Sequence, residues 1–466
     1  MEAAVSLATL DVPADPSPSS APELPPGPTA PALVQLLRSG FRPVAFLEDC
    51  ARRYGDPFTV RLPGTPPLVF FSDPDAIKDI FTGDPETHRA GEANVDLAPM
   101  LGQHSLLMLD GARHLRERRL MLPAFHGERM QLYARVMREI TARAIATWPV
   151  GRPFPIHREM QAITLDVILR TVFGFDDGAE LVRLRARLLA LIAYVTGPLG
   201  VVLFVPWLQA DLGPLSPGGR FVRHARGVDE LLYAAIARRR AEGTAGRDDI
   251  LSMLIDARYD DGTAMDDQAL RDEMVTLLLA GHETTATSLA WAFHHVLARP
   301  DVLEKLRAEL ARVVGDEPVE ARHIAALEYL DAVIKETARM KPVVPNVGRR
   351  LQVPTRIGGH LLPAGSVASP CIYLTHHRPD VWPDPERFLP ERFLGTRPSP
   401  YAFFPFGGGV RRCLGAAFAT YEMKIVLAEV LSRAALRPAP GSDVHVVRRT
   451  VTFAPSAGMP VVLDSR

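Results

Sequence analysis

A cysteine placed just before a helix, behind three consecutive glycines, is the arrangement in this chain with the most chemistry in it. The segment reads Phe404-Pro405-Phe406-Gly407-Gly408-Gly409-Val410-Arg411-Arg412-Cys413-Leu414-Gly415. Backbone N–H groups and the positive end of a helix dipole favour thiolate over thiol, so a lowered pKa is expected for Cys413. The glycines let the backbone approach a flat partner closely and turn N–H groups toward the sulfur. Arg411 can reach an anionic group, and Phe406 supplies an apolar wall. A soft thiolate in such a loop suits an iron porphyrin, with Cys413 as the metal ligand. A lone cysteine is more often an ordinary buried thiol. Here F-x-x-G-x-R-x-C-x-G fixes five positions within ten, and a chance match over this length is on the order of 10⁻⁴.

A second constellation is Ala280-Gly281-His282-Glu283-Thr284-Thr285. It lies midway along a predicted helix from about Asp266 to Arg299, with Thr263 and Asp266 as candidate N-caps and Pro300 as the stop. Such a helix would be roughly 50 Å long and, being apolar nearly all round, should run buried through the molecule. Gly281 inside it costs ~1 kcal/mol relative to Ala, and room for a ligand against the backbone would explain that. Glu283 and Thr284, an acid beside an alcohol, could relay protons to a reacting oxygen. The plainer alternative is a threonine bonded back to the carbonyl of Ala280 beside a solvated glutamate.

Further helices are predicted at Arg113–Leu122, Met130–Thr147, Met160–Val172, Ala179–Val195, Arg220–Glu242, Val302–Val314, Leu327–Met340 and Ala416–Arg433. Phe58–Leu62 and Leu68–Phe71 read as a hairpin, Arg349 to about Ile372 as strands and turns, and Val444–Leu463 as a C-terminal hairpin. The fold class is mainly α with a minor β-sheet region. Residues 1–31 are rich in Pro, Ala and Ser and are expected to be a mobile lead-in. Length alone would allow two or three domains, but the pattern is assigned to one domain, 32–466.

Hydrophobic residues make up 47% and charged residues 23% of the 466 residues, which excludes wholesale disorder or a collagen-like fibre. With 53 Lys plus Arg against 54 Asp plus Glu, nothing points to a nucleic-acid partner. Cys50, Cys371 and Cys413 make no disulfide framework. No apolar run reaches ~18 residues, the longest being Val201 to Leu208, so a protein of the cytoplasm without a transmembrane anchor is expected.

Taken together, these residues resemble the cytochrome P450 family, over most of the chain from about residue 25. The resemblance implies the family's fold, with the long central helix crossing over the haem, and b-type haem on Cys413. It places Gly281, Glu283 and Thr284 at the oxygen-binding signature, with Ala280, Phe406, Gly409 and Gly415 against the cofactor. His114 and Arg118, four apart on one helix face, match its H-x-x-x-R segment at the haem propionates. Arg349, in preference to Arg350, and Arg411 would complete that set. Glu336, Arg339 and Arg392, from Glu336-Thr-Ala-Arg339 and Pro390-Glu391-Arg392-Phe393, would form a buried structural network that holds the cysteine loop. His294-His295 and His376-His377 lack zinc spacing and read as ordinary polar residues.

The implied activity is that of a bacterial-type monooxygenase that hydroxylates a lipophilic small molecule, a fatty acid or terpenoid fitting best. The implied substrate pocket would draw on Val95, Leu97, Met100, Leu101, Val201 to Phe204, Leu277, Val343, Val344, Val347 and Pro455 to Gly458. No flavin or ferredoxin domain fits in the chain. Electrons are therefore expected from NAD(P)H through a reductase and a separate ferredoxin or flavodoxin, docked on Arg116, Arg119 and Arg412 of a monomer. A hydroperoxide-using or hydroperoxide-rearranging haem-thiolate enzyme and a non-catalytic haem-binding sensor are the alternatives. The intact Glu283-Thr284 pair argues against both.

Overall fold

The computed structural model describes residues 21–125, 129–175, 178–197 and 210–466. Helices dominate, and the helix Asp267–Leu297 is the longest at 31 residues, about 46 Å at 1.5 Å per residue. Asp266 caps it by accepting from the Ala269 N–H at 2.7 Å. Thr263 lies outside it, its hydroxyl and N–H both turned to Asp261. Pro300 ends the pattern and opens the next helix, Pro300–Val313, where a missing N–H costs nothing. Buried side chains spread round the whole circumference of the long helix, from Leu270 and Met274 to Trp291 and Phe293. Its main neighbour is the helix Ile156–Phe173, and the helix Ala416–Arg433, which begins just after Cys413, packs on it as well.

A five-stranded sheet runs in the spatial order Phe58–Val60, Leu68–Phe71, Val367–Pro370, Arg349–Leu351, His88–Arg89. Under it, Val69, Phe71, Ile77, Phe81, Leu351 and Phe404 form an apolar cluster that reaches the start of the cysteine loop. This cluster and the long helix are the two fixed bodies between which the loop is strung.

Four expectations change. The helices Ala32–Phe41, Pro74–Thr82 and Ile250–Asp256 were absent from the sequence reading. The second of these has an N-cap at Asp73, which accepts from the N–H groups of Asp75 and Ala76, with Pro74 at N1. The C-terminal segment is not one hairpin. Val446–Arg449 pairs with Thr452–Pro455, while Pro460–Ser465 pairs with Ala435–Pro438 and Pro153–Pro155. The lead-in is not free throughout, because the Glu23 N–H donates to Leu361 and Thr59 binds the carbonyls of Pro25 and Pro26.

Gly281 has a different reason from the one expected. A Cβ there would lie 2.7 Å from Cδ1 of Ile168 on the helix Ile156–Phe173. The glycine lets a neighbouring helix approach closely. Gly281→Ala should therefore destabilise by about 1–3 kcal/mol through overpacking, against the gain of about 1 kcal/mol that helix propensity alone would give. Ile168→Val in the same chain should recover part of the loss. Denaturant melts of the two single variants and the double variant check the sign.

Candidate functional site

The cysteine loop is held at both ends. The Cys413 N–H donates to the Phe406 carbonyl at 2.9 Å, closing the turn. Gly407 and Gly409 have φ of 69° and 63°, where a side chain would be strained. A Cβ on Gly408 would sit 2.2 Å from the Phe81 ring, and one on Gly409 would sit 2.3 Å from the Phe81 carbonyl oxygen. The close approach that these glycines permit is thus to Phe81 of the helix Pro74–Thr82. Gly415, with nothing within 4 Å of its virtual Cβ, faces open space and turns its N–H toward the Cys413 sulfur.

Cys413 is exposed, whereas Cys50 and Cys371 are buried. Its thiol nevertheless lies in a poorly solvated recess, and desolvation raises its pKa. The Gly415 N–H, Arg118 and Arg412 pull the other way and do not prevail. This corrects the expected lowering: a helix terminus and two guanidinium groups do not offset the loss of water around the sulfur. A cation bound at the sulfur would reverse that balance.

Behind the loop, Glu336 and Arg339 are fully buried and joined by two bonds, Nε to Oε2 at 2.7 Å and Nη2 to Oε1 at 2.9 Å. Arg392 Nε reaches Glu336 Oε1 at 3.1 Å, and the Leu389 N–H reaches the same oxygen at 2.9 Å. The network does not end there. Arg339 Nη1 donates to the carbonyl of His376 at 2.7 Å, and the His376 Nε2 accepts the Phe404 N–H at 3.1 Å. The His376 ring also stacks on Phe403, while Phe404 lies edge-on to Phe81. His376 therefore couples the buried ion cluster to the first residue of the cysteine loop, a role the sequence reading missed when it set the residue aside as ordinary.

A second group gathers where Arg349, Arg411, His114 and Arg118 converge. Arg349 and His114 are buried. Burial, then Arg411, lowers the Arg349 pKa to about 9. Burial and Arg118 lower that of Arg411 to about 10, against the pull of Asp110. Burial and all three arginines push His114 down to about 3. Asp110, 4.0 Å from Arg411, is the nearest acid, and its oxygens already accept the N–H groups of Gly91 and Glu92. Such mutual repulsion in a desolvated corner calls for an anion. Arg350 lies apart, 3.7 Å from Glu92.

Along the long helix, Ala280 is exposed, and Leu277, Gly281 and Thr284 are half-buried, although most of that helix is buried. Spaced three and four apart, these residues share one face, the accessible side of an otherwise buried helix. Thr284 Oγ1 donates to the Ala280 carbonyl at 2.6 Å, as in the plainer alternative. Glu283 is not solvated. Gln161 donates to its Oε2 at 2.6 Å, His157 Nε2 stands 3.6 Å from Oε1, and burial raises its pKa. His282 is buried too, its Nδ1 sharing a 3.0 Å hydrogen bond with Thr164 Oγ1.

Of the expected pocket residues, Leu97, Met100, Leu277, Val344 and Val347 are half-buried, whereas Leu101 is 2% exposed and part of the main core. Val343 is buried and its carbonyl accepts the Phe453 N–H, while Val95 is exposed. Pro455, Ser456 and Gly458 are buried and Ala457 is exposed. Val201 to Phe204 lie outside the described residues. The expected docking patch is largely neutralised. Arg116 pairs with Asp261 at 2.7 Å and stacks on Tyr259, and Arg119 pairs with Asp260 at 3.1 Å. Arg412 is exposed and has no ion pair among the described residues. It borders a concavity of about 370 Å³ beside Cys413, together with Arg118, Phe406, Tyr421 and Lys424.

An exposed thiol in a rigid glycine loop, a largely cationic cluster whose nearest acid lies 4.0 Å from Arg411 and an accessible face on an otherwise buried helix fit an iron porphyrin with two carboxylates. Comparison with known proteins agrees. The cytochrome P450 family profile matches residues 23–459, and this chain belongs to that family of haem-containing monooxygenases. Cytochrome P450 135B1 of Mycobacterium tuberculosis is 42% identical over 447 residues, covering 93% of this chain and 90% of that protein. Cytochrome P450 138 of the same organism is 38% identical, covering 95% and 97%. The solved structure of a retinoic acid-bound cyanobacterial CYP120A1 superposes with a TM-score of 0.84 at 26% identity, covering 96% of this chain and 100% of that one. No helix among the described residues is long and apolar enough to cross a membrane.

The coupling through His376 has a measurable consequence. His376→Phe removes the acceptor of the Phe404 N–H and leaves a buried donor unpaired, which should cost about 1–3 kcal/mol of stability. His376→Gln, which keeps an acceptor, should recover part of it. Urea unfolding of the three proteins measures both effects.

Proposed function

We propose that this cytochrome P450 hydroxylates a lipophilic small molecule, a fatty acid or terpenoid, with two electrons delivered from NAD(P)H by a reductase and a separate ferredoxin or flavodoxin. The observation that carries the reading is the exposed Cys413 in its braced loop, paired with the largely cationic cluster of Arg349, Arg411, His114 and Arg118. When bound, thiolate-ligated haem supplies the activation of O₂ and the insertion of one oxygen atom into a C–H bond.

The chain's own residues have separable tasks in this reading. Cys413 provides the sulfur, and the loop from Phe406 to Gly415 keeps it in place. Arg349, Arg411, His114 and Arg118 bind the two carboxylates with charge-assisted hydrogen bonds. Glu283, whose carboxyl is held by Gln161 and whose pKa burial raises, is the acid placed next to Thr284 to exchange a proton. Thr284 donates to Ala280 and keeps its oxygen as an acceptor for a neighbouring donor. Glu336, Arg339 and Arg392 keep the backbone behind the loop rigid and touch no substrate.

Two features support the substrate class. Leu97, Met100, Leu277 and Val344 are all apolar and partly exposed, which suits contact with a lipophilic molecule. The cyanobacterial relative is bound to retinoic acid, itself lipophilic. For the electron donor, Arg412 and the concavity beside it offer positive charge next to the sulfur side of the site.

The reduced CO-difference spectrum is the first test: the native protein should show a Soret band well to the red of that of a histidine-ligated haem, and Cys413→Ser should abolish it. A second concerns the donor. Arg412→Glu should slow electron delivery from an acidic ferredoxin about tenfold at low ionic strength and flatten its salt dependence. Stopped-flow reduction across a salt series reads both, and an unchanged rate and slope would exclude docking at that face.

A further inference from the structure

The helix Ala32–Phe41 is built inside out. Its buried residues are Gln35 and Ser39, at 2% and 7% exposure. Leu33, Val34, Leu36, Leu37 and Phe41 face outward, with Leu33 at 58%, Leu37 at 48% and Phe41 at 83% exposure. At about 100° per residue these five fall on one arc, opposite Gln35 and Ser39. The inversion is held firmly. Gln35 Nε2 donates to the carbonyls of Pro28 and Ala30 at 3.1 and 2.8 Å, and its Oε1 accepts the Arg61 N–H at 3.0 Å. Ser39 Oγ donates to the Leu36 carbonyl at 2.9 Å. Rolling the apolar face inward would break the Gln35 bonds, whereas the Ser39 bond lies within the helix and only satisfies a buried hydroxyl, so Gln35 keeps that face presented outward.

Charge indicates what covers it. From Leu24 to Leu47 the chain has no acidic residue, and its only charged residues are Arg38 and Arg42. Both are exposed. Arg38 has one loose ion pair, 3.7 Å from Asp49, and Arg42 has none among the described residues. Exposed leucines and a phenylalanine beside two exposed arginines, one loosely paired and one with no ion pair among the described residues, are the makeup of a helix that lies in the headgroup layer of an anionic bilayer. A second copy of the chain fits less well. The arc of a ten-residue helix offers on the order of half the roughly 800 Å² per partner that a stable protein interface buries.

We propose that Ala32–Phe41 docks this protein on the surface of anionic lipid bilayers, lying in the interface without crossing it. Leu33, Leu37 and Phe41 enter the acyl boundary, while Arg38 and Arg42 pair with lipid phosphates. The proposal is independent of the substrate reading, since it rests on a face remote in sequence from the cysteine loop.

Full-length haem-loaded protein is sedimented with vesicles of phosphatidylcholine alone or mixed with phosphatidylglycerol. The native chain should bind the mixed vesicles and bind the neutral ones less. The variant Leu33→Ser/Leu37→Ser/Phe41→Ser, altered only at exposed positions, should keep its Soret band and melting temperature but bind at least tenfold more weakly. Arg38→Gln/Arg42→Gln should lose the preference for the anionic vesicles. Any of three results overturns the proposal: native protein that stays in the supernatant or binds both vesicles equally, a triple variant that binds as well as native, or a native dimer in velocity sedimentation that the triple variant dissociates.

Discussion

Water is the ordinary stabiliser of a thiolate, and at Cys413 the packed loop around an exposed residue takes the place of part of it. Desolvation raises the thiol's pKa despite the Gly415 N–H and the two arginines beside it. A metal at the sulfur would supply the missing charge, provided that the loop does not yield to relieve the desolvation. The surrounding structure follows from that requirement. Gly408 and Gly409 lie flush against Phe81, Phe404 is pinned by His376, and His376 is fastened through Arg339 to a glutamate with no exposure at all. A buried ion pair is a poor source of stability in itself. Here it links the backbone of three separate segments, at His376, Pro385 and Leu389, behind one short loop.

The long helix meets the helix Ile156–Phe173 across a seam that is polar where a core is usually apolar. His157, Gln161 and Thr164 on one side face His282, Glu283 and Thr287 on the other. Desolvation is the main influence on both His157 and His282, holding them near 3 and 4, so the seam carries neutral imidazoles beside a carboxyl biased toward its protonated form. Gly281 sets how closely the two helices approach, and with it the fit of the seam.

The local features were readable in the sequence. The cysteine loop, the acid–alcohol pair, the Glu336–Arg339 spacing and the long helix each lie within a few turns of chain, where spacing determines contact. What escaped depends on partners far away in sequence. Gln161 meets Glu283 across 122 positions, and Arg116 meets Asp261 across 145. No local pattern announces that an apparently free arginine is neutralised, or that one histidine of a His-His pair joins two networks. The helix Ala32–Phe41 escaped for a different reason. Its polar residues point inward, so the usual equation of apolar with buried assigns its faces backwards.

The corner formed by Arg349, Arg411, His114 and Arg118 has a bearing on how the protein matures. Burial first, and then their mutual repulsion, lowers the pKa of Arg349, Arg411 and His114, so these groups are held beside Arg118 at a cost in the bare polypeptide. A dianionic prosthetic group turns that repulsion into attraction, and any ligand taken up by the native state alone shifts the folding equilibrium toward it. Occupancy of this corner by such a group therefore adds to the stability of the folded chain itself.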